Sequence, residues 1–216
     1  MKQQEIIDNY RDLPIGKYEE ICRLCETPMT EVDRKVGIVA ILTGLTEDEV
    51  LHLPLETFTL YSAKACFLEE ECPENLVPSV SKVYHVGDFT LVPTMDIRKV
   101  TTAQYVDFQT FAQDRDHRLV EILSCFLIPK GMDYNEGYDV LEVHKAIREE
   151  MSYAEVLALT AFFFRRWRES IQATLISSMR EVRKIRSRET RERVWKKILE
   201  RMDSMTSGDG SQTSTE

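Results

Sequence analysis

Cys22-Arg-Leu-Cys25 has the C-x-x-C spacing of half a zinc or redox site. Zinc needs two further ligands, and the next candidates, Cys66 and Cys72, have five residues between them rather than two. On a helix, thiols at i and i+3 face the core, and packing is the preferred reading. Asp133-x-Asn135-x-Gly137-x-Asp139 imitates a calcium loop, which wants Gly at its sixth position and Glu at its twelfth. Here Gly137 is fifth and His144 is twelfth, so Asp139 reads as a helix cap and Gly131 and Gly137 as turn residues. The four histidines, His52, His85, His117 and His144, fall in four different expected elements. No H-E-x-x-H, G-x-S-x-G, G-x-x-x-x-G-K or G-x-G-x-x-G occurs, and 8 glycines leave little material for a phosphate-cradling loop. A triad of Cys125, His117 and an acid would have to be assembled in space, with Cys125 on an apolar helical face. No catalytic residue, metal ligand set or cofactor is expected.

The elements that would position these residues are mainly helical. Residues up to Asp12 read as a flexible arm. Pro14 introduces a helix with Ile15, Tyr18, Ile21, Cys22, Leu24 and Cys25 on one side, and Thr27-Pro28 breaks it. A second helix runs from about Thr30 to Thr43 and ends at Gly44. Thr46 with Glu49 forms a capping box for a short third helix, and Pro54 starts a fourth that reaches about Phe67. From residue 80 the periodicity alternates, and Gly87-Asp88 turns a β-hairpin that ends near Pro93. A lone hairpin is marginal in water, so it must lie on the helices.

The stretch 101–140 is the expected structural hub. Thr101 or Thr102 caps a helix with Tyr105, Phe108 and Phe111 on its apolar face. Leu119, Ile122, Leu123, Phe126 and Leu127 follow at helical spacing and Pro129 stops them. Tyr134 and Tyr138 sit in the loop beyond and are expected to pack on their own domain. Asp139 with Glu142, and Ser152 with Glu155, read as two more capping boxes. The second of these opens a helix without Pro or Gly to about Ile185. The expected architecture is a mainly α single domain over 13–185 with one β-hairpin. A long basic C-terminal helix, its charged extension over 186–203, and a disordered tail over 204–216 complete the chain.

The sequence has 216 residues, 43% hydrophobic and 30% charged, enough for one substantial core. Its polar N-terminus has no secretory signal pattern, and the apolar run Val156 to Phe164 is too short to span a bilayer. Five cysteines are then expected as thiols in a cytoplasmic protein that does not enter membranes. The net charge of −9 conceals an asymmetry. Arg165 to Arg201 holds thirteen Lys/Arg against five Asp/Glu, a balance of +8, and the rest of the chain carries −17. Basic segment and acidic body can attract each other in cis or between copies, which makes a homo-oligomer one expectation. Trp167, Arg180, Arg183, Arg191, Trp195 and Lys196 are the candidate partner-binding residues. Three readings of this segment stay open: a solvated face, a protein partner, or nucleic acid with the tryptophans stacking on bases. The acidic body and the interleaved Glu181, Glu189, Glu192 and Glu200 weigh against nucleic acid.

Three segments together resemble a known family. They are Leu45-Thr46-Glu47-Asp48-Glu49-Val50, Gln104-Tyr105-x-Asp107-Phe108-Gln109, and the loop Ile128-Pro129-x-Gly131 to Tyr134-Asn135-x-Gly137-Tyr138-Asp139. They are similar to tail assembly chaperones of tailed bacteriophages, particularly those of gut Bacteroidales. The similar part covers roughly Pro14 to Ile185. The resemblance implies a non-enzymatic protein of the infected cell's cytoplasm that binds the tape-measure protein and recruits tail-tube subunits. It also implies that the charged segment after Ile185 is a partner-binding extension of the kind produced by frameshifting. The rival expectations are a structural virion component and a nucleic-acid-binding regulator.

Overall fold

Thr30, Thr46, Thr101 and Ser152 each start a helix for the same reason. Each hydroxyl oxygen accepts the backbone N–H three residues on, at 3.1 to 3.3 Å, which satisfies a donor that the first helical turn leaves open. Glu49, Gln104 and Glu155 reach back to the backbone N–H of Thr46, Thr101 and Ser152, completing three capping boxes. The computed structural model describes residues 5–184 and Lys196. It contains α1 (Ile15–Glu26), α2 (Glu31–Thr43), α3 (Glu47–Leu51) and α4 (Leu55–Lys64) in the N-terminal half. The C-terminal half contains α5 (Thr102–Phe111), α6 (Leu119–Ser124), α7 (Val140–Glu150) and the long α8 (Tyr153–Lys184). Between α4 and α5 come β1 (Tyr84–Val86) and β2 (Phe89–Pro93), and β3 (Leu127–Pro129) follows α6. The molecule is a mainly α single domain with a small antiparallel sheet. No helix among the described residues is long and apolar enough to cross a membrane.

The helices bury their apolar faces in two clusters. One holds Leu13, Ile21, Val36, Val39, Leu42, Val50 and Tyr61 from α1 to α4 and the chain before them. The other is the hub, where Phe108, Val120, Ile122, Leu123, Phe126, Ile147, Leu159 and Phe163 join Leu91 of the sheet. Tyr18 and Tyr153, with ring centroids 4.0 Å apart, belong to both and join them.

Three expectations are corrected. Residues 5–12 are not a loose arm: Ile6 and Tyr10 are buried in the first cluster, and the Tyr10 hydroxyl donates to the Glu70 carbonyl at 2.6 Å. Two apolar side chains five residues short of a helix leave no periodicity to read, and only the partner surface decides that they are covered. Next, α6 ends at Ser124, and Leu127 to Pro129 leave the helix to form a third strand. This strand pairs antiparallel with β2, Leu91 opposite Pro129 and Pro93 opposite Leu127, so the hairpin becomes a sheet of order β1-β2-β3. A short apolar run fits helix and strand equally well, and β3 at the sheet edge tolerates a proline that cannot donate to the ladder. Finally, Asp139 caps α7 through the Leu141 N–H at 2.9 Å rather than through a box with Glu142.

The charged extension 186–203, apart from Lys196, and the tail 204–216 lie outside the described residues. Two glycines are needed where they stand. Gly44 ends α2 at φ 74, the left-handed conformation that lets its N–H reach the Ala40 carbonyl at 2.8 Å. At Gly16 a Cβ would lie 2.8 Å from the Arg148 carbonyl oxygen, so α1 can pass α7 only without a side chain there. Replacing Gly16 by Ala should cost about 1–3 kcal/mol of unfolding free energy, because rigid backbone has to shift. Phe126→Ala should cost about 3–5 kcal/mol in the same denaturant titrations, since that ring is fully buried.

Candidate functional site

The expected hub residues come together. Phe108 meets Phe126 edge-on at 5.1 Å between ring centroids, and Phe126 stacks on Phe163 at 4.7 Å. Phe111 packs at the margin under the Arg118 guanidinium. Trp167, expected on the partner surface, is half-buried here. It stacks on Tyr105 at 5.3 Å and leans on Phe108 at 4.9 Å, so the indole completes the hub. Tyr134 folds back so that its hydroxyl donates to Asp107 Oδ2 at 2.8 Å. Tyr138 accepts the Asn135 N–H at 3.2 Å, which braces Asn135 at φ 58. Gln104 has a second role beyond its cap: its side-chain amide donates to the Cys125 carbonyl at 2.8 Å, tying α5 to the end of α6.

The chemically suggestive residues are dispersed. Cys22 is half-buried, but Cys25 is exposed, so only the first of the pair turns toward the core. Among the described residues no three His, Cys, Asp or Glu are arranged to hold a metal ion. Gly131 and Gly137, at φ 80 and 81, turn the loop and Asp139 caps α7, as expected of a structural segment, and Asn135 adds a third positive φ. Cys125 and His117 are not brought together. Cys125 is buried against the Tyr134 hydroxyl at 3.8 Å, and burial pushes its thiol up to about 12, out of the thiolate range that nucleophiles need. His117 instead sits between Asp114 at 2.8 Å and Glu26 at 2.7 Å, and holds the hub to the end of α1. Carboxylate oxygens only accept, so both ring nitrogens donate and the imidazolium is favoured. Its pKa is raised above 6.5 by the bond to Asp114 first and to Glu26 second. His144 is the opposite case: burial lowers its pKa, and Nε2 lies 2.7 Å from Ser124 Oγ. That serine is buried and its Oγ also lies 2.7 Å from the Val120 carbonyl, which places it as a helix-bound hydroxyl. His52 and His85 are exposed, on α3's end and β1.

Two features have no signal in the spacing of residues. Arg148 on α7 donates to Glu19 of α1 at 3.0 Å and to Glu121 of α6 at 2.9 Å, and Glu19 is buried. These residues are up to 129 positions apart, and only the packed helices unite them. The second is an open groove of about 560 Å³ between α1, α2 and the start of α3. Leu24, Ala40, Ile41 and Leu45 line it with apolar surface, and Lys17, Glu20, Arg23 and Glu47 charge its rim. Of the remaining expected partner residues, Lys196 is exposed and Arg180 and Arg183 lie on α8 with side chains outside the described set. Arg191 and Trp195 lie outside the described residues altogether.

Fold and site together define a mainly α protein with an open groove between α1 and α2. Comparison with protein-family models, with curated proteins and with solved structures gives no match.

Three outcomes are expected. Arg148→Ala should destabilise the fold by about 3 kcal/mol, because it strands the buried Glu19 carboxylate, whereas Glu31→Ala, which breaks only the exposed pair with Lys35, should leave the melting curve unchanged. The two histidines should respond oppositely to pH. His117 contributes fully below 6.5 and loses its contribution as pH rises through its raised pKa, so the stability gap to His117→Asn should shrink toward pH 9. Replacing His144 by Asn should instead remove a loss of stability that sets in as pH falls below 6.5. Thiol titration of the native protein should label the exposed Cys25 and Cys66 quickly and Cys125 only on unfolding.

Proposed function

We propose that this chain is a non-enzymatic protein-binding factor of phage tail assembly, which holds a tape-measure protein and recruits tail-tube subunits. The observation that carries this reading is large apolar side chains held out from a rigid helical layer. Leu51 closes α3 and is 67% exposed, and Leu55 opens α4 and is 78% exposed. Val32 at 65% and Leu60 at 47% extend the display. Apolar anchors on a firm scaffold are what an amphipathic client helix needs. Weak contacts of this kind gain avidity when several copies line one long client.

The positions of the three resembling segments support the reading. Leu45 and Glu47 line the groove, and Thr46 and Glu49 cap α3 beside it. Gln104 and Asp107 of the second segment bind the Cys125 carbonyl and the Tyr134 hydroxyl, the latter from the third. Residues that carry the likeness therefore brace the scaffold and line one side of the groove.

The test is co-expression with the tape-measure protein. The wild type should keep the client soluble, and the double variant Leu51→Glu/Leu55→Glu should lose it while melting like wild type. Client aggregation unaffected by the double variant would remove the apolar display from the mechanism. Purified virions should lack the chain, and finding it there in stoichiometric amount would favour a structural component. Removing Arg186 to Glu216 should leave a cooperative melt and weaken client binding.

A further inference from the structure

We propose that the corner where α3 meets α4 docks a basic amphipathic helix of a client protein, Leu51 and Leu55 meeting its apolar face and the acids around them its lysines and arginines. The inference rests on the protein-binding reading and adds to it the charge of the partner. Val50 and Tyr61 are buried and Phe58 packs on the first cluster, which fixes the corner to the body. The positions beside them then face outward, and Leu51, Leu55 and Leu60 are the large side chains exposed there. Three residues separate Leu51 from Leu55, so even a fully extended link holds them within about 14 Å. α4 continues for 10 residues, about 15 Å, with Thr59, Leu60 and Ala63 exposed along it. A partner helix of about three turns spans this display.

The charge around these leucines has one sign. From Val36 to Ala63 the chain has no Lys or Arg and carries Glu47, Asp48, Glu49 and Glu56, all exposed. The lysines that bound this span are already paired, Lys35 with Glu31 at 2.8 Å and Lys64 with Asp8 at 3.2 Å. Among the described residues, the one ion pair that any of the four acids makes is Asp48 with His52, at 3.7 Å. Lys17 and Arg23 line the groove that Glu47 also lines, but they belong to α1. A helix dipole offsets only about half a charge at its N-terminus, so α3 does not neutralise its own first turn. Four acids therefore border apolar surface that the domain leaves bare. A helix with Lys or Arg beside its apolar stripe complements both features. Two other occupants fit worse. An isologous pair of copies would press two acidic rims together, and the phosphates of nucleic acid would be repelled.

Fluorescence anisotropy with the full chain and two synthetic helical peptides tests it. The peptides share one leucine face and carry either lysines or glutamates on the rest of their surface. The lysine peptide should bind about tenfold tighter at low salt, and the ratio should shrink as salt rises. Asp48→Lys/Glu56→Lys should abolish that preference, and neither side chain holds a capping bond or lines the groove. Leu51→Ser/Leu55→Ser should weaken both peptides about tenfold or more while melting like wild type. Equal binding of the two peptides, a preference that the charge reversal leaves unchanged, or binding that survives loss of the leucines would each overturn the proposal. So would sedimentation in which wild type dimerises and the leucine variant does not, since a second copy would then fill the corner. Co-expression separates this inference from the reading it rests on. A wild type that keeps the tape-measure protein soluble but shows no charge preference loses only the inference. A chain that shows the preference but does not hold that client keeps the docking corner and loses the phage partner.

Discussion

Leu13 and Tyr153 meet across 140 residues of sequence. The Tyr153 N–H donates to the Leu13 carbonyl at 2.7 Å and the Ile15 N–H to the Met151 carbonyl at 2.9 Å, so the entry to α1 and the entry to α8 pair like two short strands. Everything else hangs on this exchange. It sets α1 beside α7, where Gly16 passes the Arg148 carbonyl, and it places Tyr18 and Tyr153 as the shared wall of the two apolar clusters. Buried backbone groups must find partners, and here they find them in each other at the one point where both helices begin.

From that junction the molecule divides its work. The hub buries rings and aliphatic chains, and side-chain hydrogen bonds tie its elements together: Gln104 on the Cys125 carbonyl, Tyr134 on Asp107, Ser124 between Val120 and His144. The Tyr134–Asp107 bond holds the loop after β3 against α5. The α1–α4 layer is different in kind. It leaves leucines exposed at the α3–α4 corner and an open groove beside α2. These leucines are apolar surface that the body does not cover itself.

The charged groups follow the same division. Arg148 bridges Glu19 and Glu121 in a half-buried triad between three helices, where a misplaced register would strand a buried charge. His117 ties the hub to α1 from the surface, where solvent weakens the bond and pH can release it. The first is a condition of packing; the second is a surface contact whose partner Glu26 stands two residues from the groove-lining Leu24 and one from Thr27.

Sequence alone determined the helices, because their signals are local. A threonine or serine with Glu or Gln three residues later, a glycine after an apolar run, and a proline at the first turn each act within a few residues. The aromatic hub was legible for the same reason, with Phe108 and Phe126 on periodic faces. Tertiary structure alone decided that Ile6 and Tyr10 are core, that Leu127 to Pro129 are strand, and that Trp167 belongs to the hub. It also brought Glu19, Glu121 and Arg148 together and opened the groove. Each of these depends on which surface arrives from a distant part of the chain, and hydrophobic burial has no direction along the sequence by which to announce it.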